Sequence, residues 1–453
     1  MELNKSDNRG NWSSKLGFIL AAAGSAIGLG NIWAYPSKVA DNGGAAFILI
    51  YVLCCFLVGY PIMVSELAIG RKTGKSPFGA FRSFGAPKFF GIVGLWGILC
   101  GFMILSFYNV VAGWTLSYVF EEIFFFIGNP DLANWFGDLG NGHKNAVFSI
   151  IFMFLTIAII TGGVAEGIEK ATKIMMPALL AILIFMIAFV FTQDGASDGL
   201  VYYLQPDFSK ITFDLFFKAM GQAFFSLSLG MGTLITYGSY LNKKANIPQA
   251  ALYVTLADLS IAFLAGLLII PAMFVAQSSG VKIFDDAGNL IASTTLVFNA
   301  LPNLFHSMHP IVGLFSGVLF FLLLSMAALT STISLLEVPV SFVIDEFKVK
   351  RKVAAYIIGT AILTVSLGIA YNLSLIDLFS TIFNDIGLPL GGFMISIFLV
   401  YVWKTNNALI ELNNGYDGID SSFFGKLWPF MVKYISPVLI GIVFFQTIYS
   451  LLR

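Results

Sequence analysis

Residues 24–36 read GSAIGLGNIWAYP, inside one of the most apolar parts of the chain. Each Gly in a helix costs about 1 kcal/mol relative to Ala, yet Gly24, Gly28 and Gly30 crowd together here, with Ser25 and Asn31 among them and Pro36 closing the run. The stretch predicts a helix that is deliberately interrupted. A second stretch answers to it: residues 223–239, AFFSLSLGMGTLITYGS, break another apolar span with Ser226, Ser228, Gly230 and Gly232. Both contain a Gly-apolar-Gly step. Backbone unwound in lipid leaves N–H and C=O groups unpaired at several kcal/mol each, unless they face protein, water or a ligand. Freed carbonyls suit a small cation, and a half-helix N-terminus suits a carboxylate. Gly24 and Gly28 alone would read as a close-packing GxxxG pair; two matched breaks point instead to a transporter's binding site.

The surrounding sequence sets the class. Of 453 residues, 58% are hydrophobic and 11% charged, and the mean hydropathy is +0.86. Many runs exceed the roughly 18 apolar residues that identify a membrane-spanning helix. The expectation is an all-α integral membrane protein of about eleven spans, near 16–37, 44–70, 89–125, 145–161, 171–192, 213–240, 247–278, 313–345, 352–370, 374–402 and 427–451. The breaks fall in spans 1 and 6. That placement suggests a 5+5 repeat, inverted because five is odd. The corresponding division is a cytoplasmic N-terminal segment at 1–15, a first repeat at 16–192, a second at 193–402, and an inner loop with span 11 at 403–453. Most of the 25 Lys and Arg fall in segments that face inward if the N-terminus is cytoplasmic, as the bias of basic residues requires. An odd span number then puts the C-terminus outside. The polar start shows no cleavable signal.

Zero formal net charge argues against a nucleic-acid partner. Cys54, Cys55 and Cys100 lie in apolar spans and read as small buried hydrophobes. His306 and His309 are three residues apart with no Cys or carboxylate close in sequence, so a metal site there is disfavoured. Within the spans, AALTSTISLLE (327–337) offers Thr330 and Ser331 as neutral oxygens for a hard cation. Asp258 is an ionisable group at membrane depth, functional by default. Glu66, beside Arg71, reads as an anchor or helix pair. Glu337 has no partner visible in sequence. Tyr108 by itself reads as a packing aromatic. A channel would need a filter run or a ring of charges, and an enzyme a nucleophile–base or metal constellation; neither is present in the sequence.

Together NWSSKLGFILAAAGSAIGLGNIWAYP, NGGAAFILIY, PIMVSELAIGR, GQAFFSLSLGMG, AALTSTISLLEVPVSF and GLPLGGF resemble the neurotransmitter:sodium symporter family, its bacterial amino-acid members most of all. The resemblance implies sodium-coupled uptake of an amino acid across the bilayer, with two Na⁺ and, because Asp258 stands where chloride-dependent members usually have Asn, no chloride requirement. It assigns the first sodium to the Ala26 carbonyl, Asn31, Ser226 and Asp258, and the second to the carbonyls of Gly24, Ile27 and Ala327 with Thr330 and Ser331. The substrate carboxylate would meet the N–H groups of Leu29 and Gly30 and the Tyr108 hydroxyl. Its amine would meet the carbonyls of Ala26, Phe225 and Ser226 and the Ser228 hydroxyl, with Ser25 beside them. Ile104, Phe225, Met231, Ser331 and Leu335 would line the side-chain pocket. Arg9 and Asp345, with Trp12, match the cytoplasmic gate, and a homodimer is the assembly entertained. The chain also departs from the family. The Arg usual at position 34 is Ala34, and its Asp partner falls on Ser380, so the outer ion pair is missing from both sides. That loss raises a second reading, a sensor of the same fold that binds without transporting.

Overall fold

The computed structural model describes residues 10–85, 87–278, 280, 282–284, 297–298 and 301–451. Among them, nine helices are long and apolar enough to cross a membrane: α3 (Ala45–Thr73), α4 (Lys88–Phe126), α5 (Gly142–Thr161), α6 (Val164–Val190), α9 (Ile247–Ser278), α11 (Pro310–Phe347), α12 (Arg351–Tyr371), α13 (Ser374–Trp403) and α14 (Phe423–Tyr449). A tenth candidate is the pair α1 (Lys15–Ala26) and α2 (Gly30–Asp41), bent by 51°. The span expected at 213–240 is also two pieces, α7 (Phe213–Ser226) and α8 (Thr233–Gly238). Between the last two long elements of the middle region lies α10 (Leu301–Ser307).

Local chemistry sets several boundaries. The Ser14 side chain accepts from Gly17 N–H to start α1, and Thr212 does the same for Leu215 to start α7, each satisfying an otherwise orphaned donor. Gly74 closes α3 at φ 60°, a conformation that favours Gly.

Polarity is distributed for a bilayer. On α3, Leu49, Leu53 and Leu57 recur every four residues and face outward, while Ser65 and Glu66 are buried inside the bundle. Asn31, Asp258, Thr330 and Glu337 are likewise buried. Helix backbones satisfy their own hydrogen bonds, so apolar side chains can cover the outside and polar ones can be kept for the interior. The long helices α4 and α11 pack extensively against each other. They carry Ile104 and Tyr108, and Thr330 and Ser331, respectively, to the level of the breaks.

Candidate functional site

The first break begins where α1 ends. Ile27 leaves the helix with φ −79° and ψ 102°, its N–H still donating to the Ala23 carbonyl at 2.7 Å. Chain direction resumes in a wide turn, Gly30–Ala34, that leads into the rest of α2. The second break holds Ser228, Gly230 and Gly232, all at positive φ (53°, 80° and 79°). Gly230 cannot gain a side chain there: a Cβ would stand 2.2 Å from the Leu388 carbonyl oxygen. The GLPLGGF motif of α13 closes against it, and a Cβ on Gly391 would lie 2.2 Å from Gly230 O. Freed by the break, the Gly230 N–H donates to Glu66 Oε1 at 2.8 Å.

The two breaks meet. Ser228 Oγ donates to the Ser25 carbonyl at 2.9 Å, and Ser25 Oγ donates to Ser334 Oγ at 2.8 Å. Leu29 N–H donates to the Tyr108 hydroxyl at 3.0 Å, and Gly28 N–H to Asn31 Oδ1 at 3.1 Å. Gln222 Nε2 reaches across to the Gly30 carbonyl at 2.9 Å. Behind them the Asp258 carboxylate accepts from Asn31 Nδ2 (2.7 Å), Ser226 Oγ (2.8 Å) and the Tyr51 hydroxyl (3.2 Å). Three donors make a fully buried carboxylate tolerable. On α11, Thr330 Oγ1 donates to the Ala327 carbonyl at 2.9 Å and lies 3.3 Å from Ile27 O.

A small cavity opens between these elements. Ser25, Ala26, Gly28 and Gly30 of the first break line it, with Phe225, Ser226, Ser228 and Met231 of the second. Ile104 and Tyr108 of α4 and Ser331 and Leu335 of α11 complete the wall. Every substrate residue expected from the sequence touches this cavity except Leu29, which reaches it through Tyr108. Gly28 belongs to the wall as well: a Cβ there would lie 2.4 Å from Ser331 Oγ and 2.9 Å from the Tyr108 hydroxyl. Asn31, Asp258 and Thr330 stand just outside the lining, around the two breaks.

On one face of the bundle, Trp12 Nε1 donates to the Tyr237 carbonyl at 3.0 Å, and its ring packs edge-on against Phe18, Tyr237 and Tyr240. Asp345 Oδ2 accepts from Ser76 N–H at 2.6 Å. Arg9 lies outside the described residues, so its pairing with Asp345 is not placed.

Several expectations need correction. Glu66 does not pair with Arg71. It is taken by the Gly230 N–H, while Arg71 Nε binds Glu411 Oε1 at 2.9 Å. Glu337 does have partners: Arg351 holds it through two contacts of 2.7 and 3.0 Å, and the Tyr240 hydroxyl donates to it at 2.6 Å. His306 does have carboxylates beside it, Glu121 and Glu122, each at 3.4 Å. The outer mouth is not without charge either. Ala34 and Ser380 are uncharged, but Lys38, four residues after Ala34, and Asp385, five after Ser380, interact electrostatically. Tyr51, Gln222 and these cross-bundle pairs had no local signal in the sequence.

The family model described as "Sodium:neurotransmitter symporter family" matches residues 9–127 and 123–452. The chain is 34% identical to an uncharacterised sodium-dependent transporter of Bacillus subtilis, over 96% of this chain and 97% of that protein. It is 33% identical to another from Haemophilus influenzae, over 97% and 98%. The crystal structure of MhsT in complex with L-phenylalanine superposes with a TM-score of 0.84 at 38% identity, covering 97% of this chain and all of that one. With an interrupted first helix, a polar interior and sodium-dependent relatives along its whole length, the chain is a multi-pass membrane transporter, not an enzyme, and belongs to the sodium:neurotransmitter symporter family.

Proposed function

We propose that the protein is a symporter that imports an apolar or aromatic amino acid with two Na⁺, by alternating access and without chloride. The observation that carries this reading is the wall at Gly28. The end of the cavity nearest Leu29 and Tyr108 presents hydrogen-bond donors, and Gly28 leaves no room for an acidic side chain beside Ser331 and Tyr108. The protein therefore brings no carboxylate of its own to that end, and the substrate supplies one. The L-phenylalanine bound in the MhsT structure agrees with such a ligand.

In this reading the substrate carboxylate takes the N–H groups of Leu29 and Gly30 and the Tyr108 hydroxyl. The amine takes the Ala26, Phe225 and Ser226 carbonyls and the Ser228 hydroxyl, beside Ser25. Ile104, Phe225, Met231 and Leu335 receive the side chain. A charged side chain among them would lose its hydration without a partner, at several kcal/mol. The first sodium sits among Ala26 O, Asn31, Ser226, Asp258 and the substrate carboxylate. The second sits among Gly24 O, Ile27 O, Ala327 O, Thr330 and Ser331. The approach of Thr330 Oγ1 to both Ile27 O and Ala327 O supports that second grouping. Asp258 supplies the fixed negative charge for which other members use chloride. Trp12 and Asp345 close the cytoplasmic side with Arg9, the N-terminus being cytoplasmic. The cavity and its ion ligands all come from one chain, and each half, 16–192 and 193–402, contributes one break.

The test is competition against a labelled apolar amino acid in sodium, using its decarboxylated amine and its amide. Neither should displace the label at concentrations where the free amino acid does. An amine that competes equally well refutes the carboxylate argument. Counterflow in proteoliposomes separates a transporter, which exchanges label, from a sensor, which only binds.

A further inference from the structure

Away from the substrate cavity, α4 runs from Lys88, where it packs on Pro77 and Phe78 beside the Ser76–Asp345 contact, to Phe126 at its other end. At that far end, Glu121 and Glu122 meet His306 of α10, and one ligand atom from each lies within 4.8 Å of the others. His306 Nε2 stands 3.4 Å from Glu121 Oε1 and 3.4 Å from Glu122 Oε2. A hydrogen bond between imidazolium and carboxylate closes to about 2.7–2.9 Å, so these contacts are too long for one. They match the edge of a coordination tetrahedron instead: metal–ligand bonds of about 2.0–2.1 Å put neighbouring ligands about 3.3–3.4 Å apart.

We infer that Glu121, Glu122 and His306 form a binding site for a divalent transition-metal ion of the zinc type, clamping α10 to the end of α4. The Glu122 side chain is fully buried, and neither of its oxygens has a hydrogen-bond partner. His306 Nε2 and Glu121 Oε2 have none either. Buried carboxylates are rarely left in that state. Gly317 of α11 makes the room, since a Cβ there would come within 2.3 Å of Glu122 Cδ. The imidazole is held in orientation by Phe125, stacked 3.4 Å away at 6°. Lys144 and Asp138 lie beside Glu121 and offset each other. The two carboxylates then leave a charge of −2. A protonated His306 reduces it to −1, whereas a dication with neutral His306 cancels it. One nitrogen and two carboxylate oxygens suit a first-row transition ion better than Ca²⁺ or Mg²⁺, which take oxygen alone. The fourth position faces a cleft lined by Tyr118, Asn134 and Asn303, open to water or a further oxygen. The helix α10 leads directly into α11, which carries Thr330 and Ser331, so the clamp ties the outer end of one site wall to another.

The experiment uses the full chain, purified in detergent and stripped with EDTA. Added Co²⁺ should develop visible absorption that saturates at one equivalent and disappears on adding Zn²⁺. His306→Asn and Glu121→Gln should each weaken Zn²⁺ binding at least tenfold while leaving metal-free, sodium-driven uptake intact. Both residues border the cleft, so these variants spare the buried Glu122. Zn²⁺ should also slow uptake into proteoliposomes in the parent protein and not in His306→Asn. No saturable Co²⁺ band, or equal binding in both variants, overturns the site. Stoichiometric binding that leaves uptake unchanged overturns the clamp.

Discussion

Gly28→Ala tests the substrate end of the cavity with the smallest possible probe. The added methyl would stand 2.4 Å from Ser331 Oγ and 2.9 Å from the Tyr108 hydroxyl, well inside van der Waals contact. Ser331 can rotate away. Tyr108 cannot do so freely, because its hydroxyl accepts the Leu29 N–H at 3.0 Å. Overpacking of this kind costs about 1–3 kcal/mol, and here it falls on the group that faces the substrate carboxylate. At 1.4 kcal/mol per tenfold, affinity for a labelled apolar amino acid should drop about 5- to 150-fold. The assay is equilibrium binding to purified protein at saturating sodium. Gly221→Ala is the control: it lies in α7 with nothing within 4 Å of its Cβ. That change should leave affinity alone and raise stability by about 0.5–1 kcal/mol. If Gly28→Ala binds within twofold of the parent protein, the assignment of this wall to the carboxylate is wrong.

Other outcomes follow from the same geometry. Thr330→Ala with Ser331→Ala removes two hydroxyl ligands at about 1–3 kcal/mol each, so half-maximal uptake should need at least tenfold more sodium; full uptake at low sodium would contradict the assignment. Replacing chloride by gluconate should leave the uptake rate unchanged, and a large drop rejects the role given to Asp258. Lys38→Met and Asp385→Asn should each slow uptake, and the double variant should lose less than the sum of the two; simple additivity, with no coupling energy, rules out a working outer pair. Ala34→Arg should also impair uptake, since it stacks a second cation one turn from Lys38.

What the sequence made legible was local. The two Gly-apolar-Gly steps could be read as breaks because glycine and serine are costly in an apolar helix without a reason. Thr330 and Ser331 stood out as adjacent hydroxyls, and Asp258 as a lone carboxylate at membrane depth. The second break shows where length alone misleads: a single span at 213–240 is in fact a long helix and a short one, turned apart by three residues at positive φ. Pairings across the bundle were hidden. Glu66 is adjacent in sequence to the segment that ends in Arg71, but the backbone N–H it satisfies belongs to Gly230, 164 positions away. Tyr51 reaches Asp258 across 207 positions. His306 looked isolated because its carboxylates sit on another helix. Partners of this kind are chosen by packing, and no periodicity encodes them.

Asn31 gives the Asp258 cluster a consequence for water. Its amide oxygen holds the Gly28 N–H and its nitrogen holds Asp258, while Ser226 of the second break shares the same carboxylate oxygen. Both interrupted helices are thus moored to one acid on α9. Pulling either mooring away strips donors from a charge that has no solvent of its own, which is far costlier than losing a surface contact. The moorings can slip only as water or a cation arrives to replace them. Opening the pathway and replacing the donors around Asp258 are therefore coupled, so a bundle with no water or cation at this carboxylate stays closed.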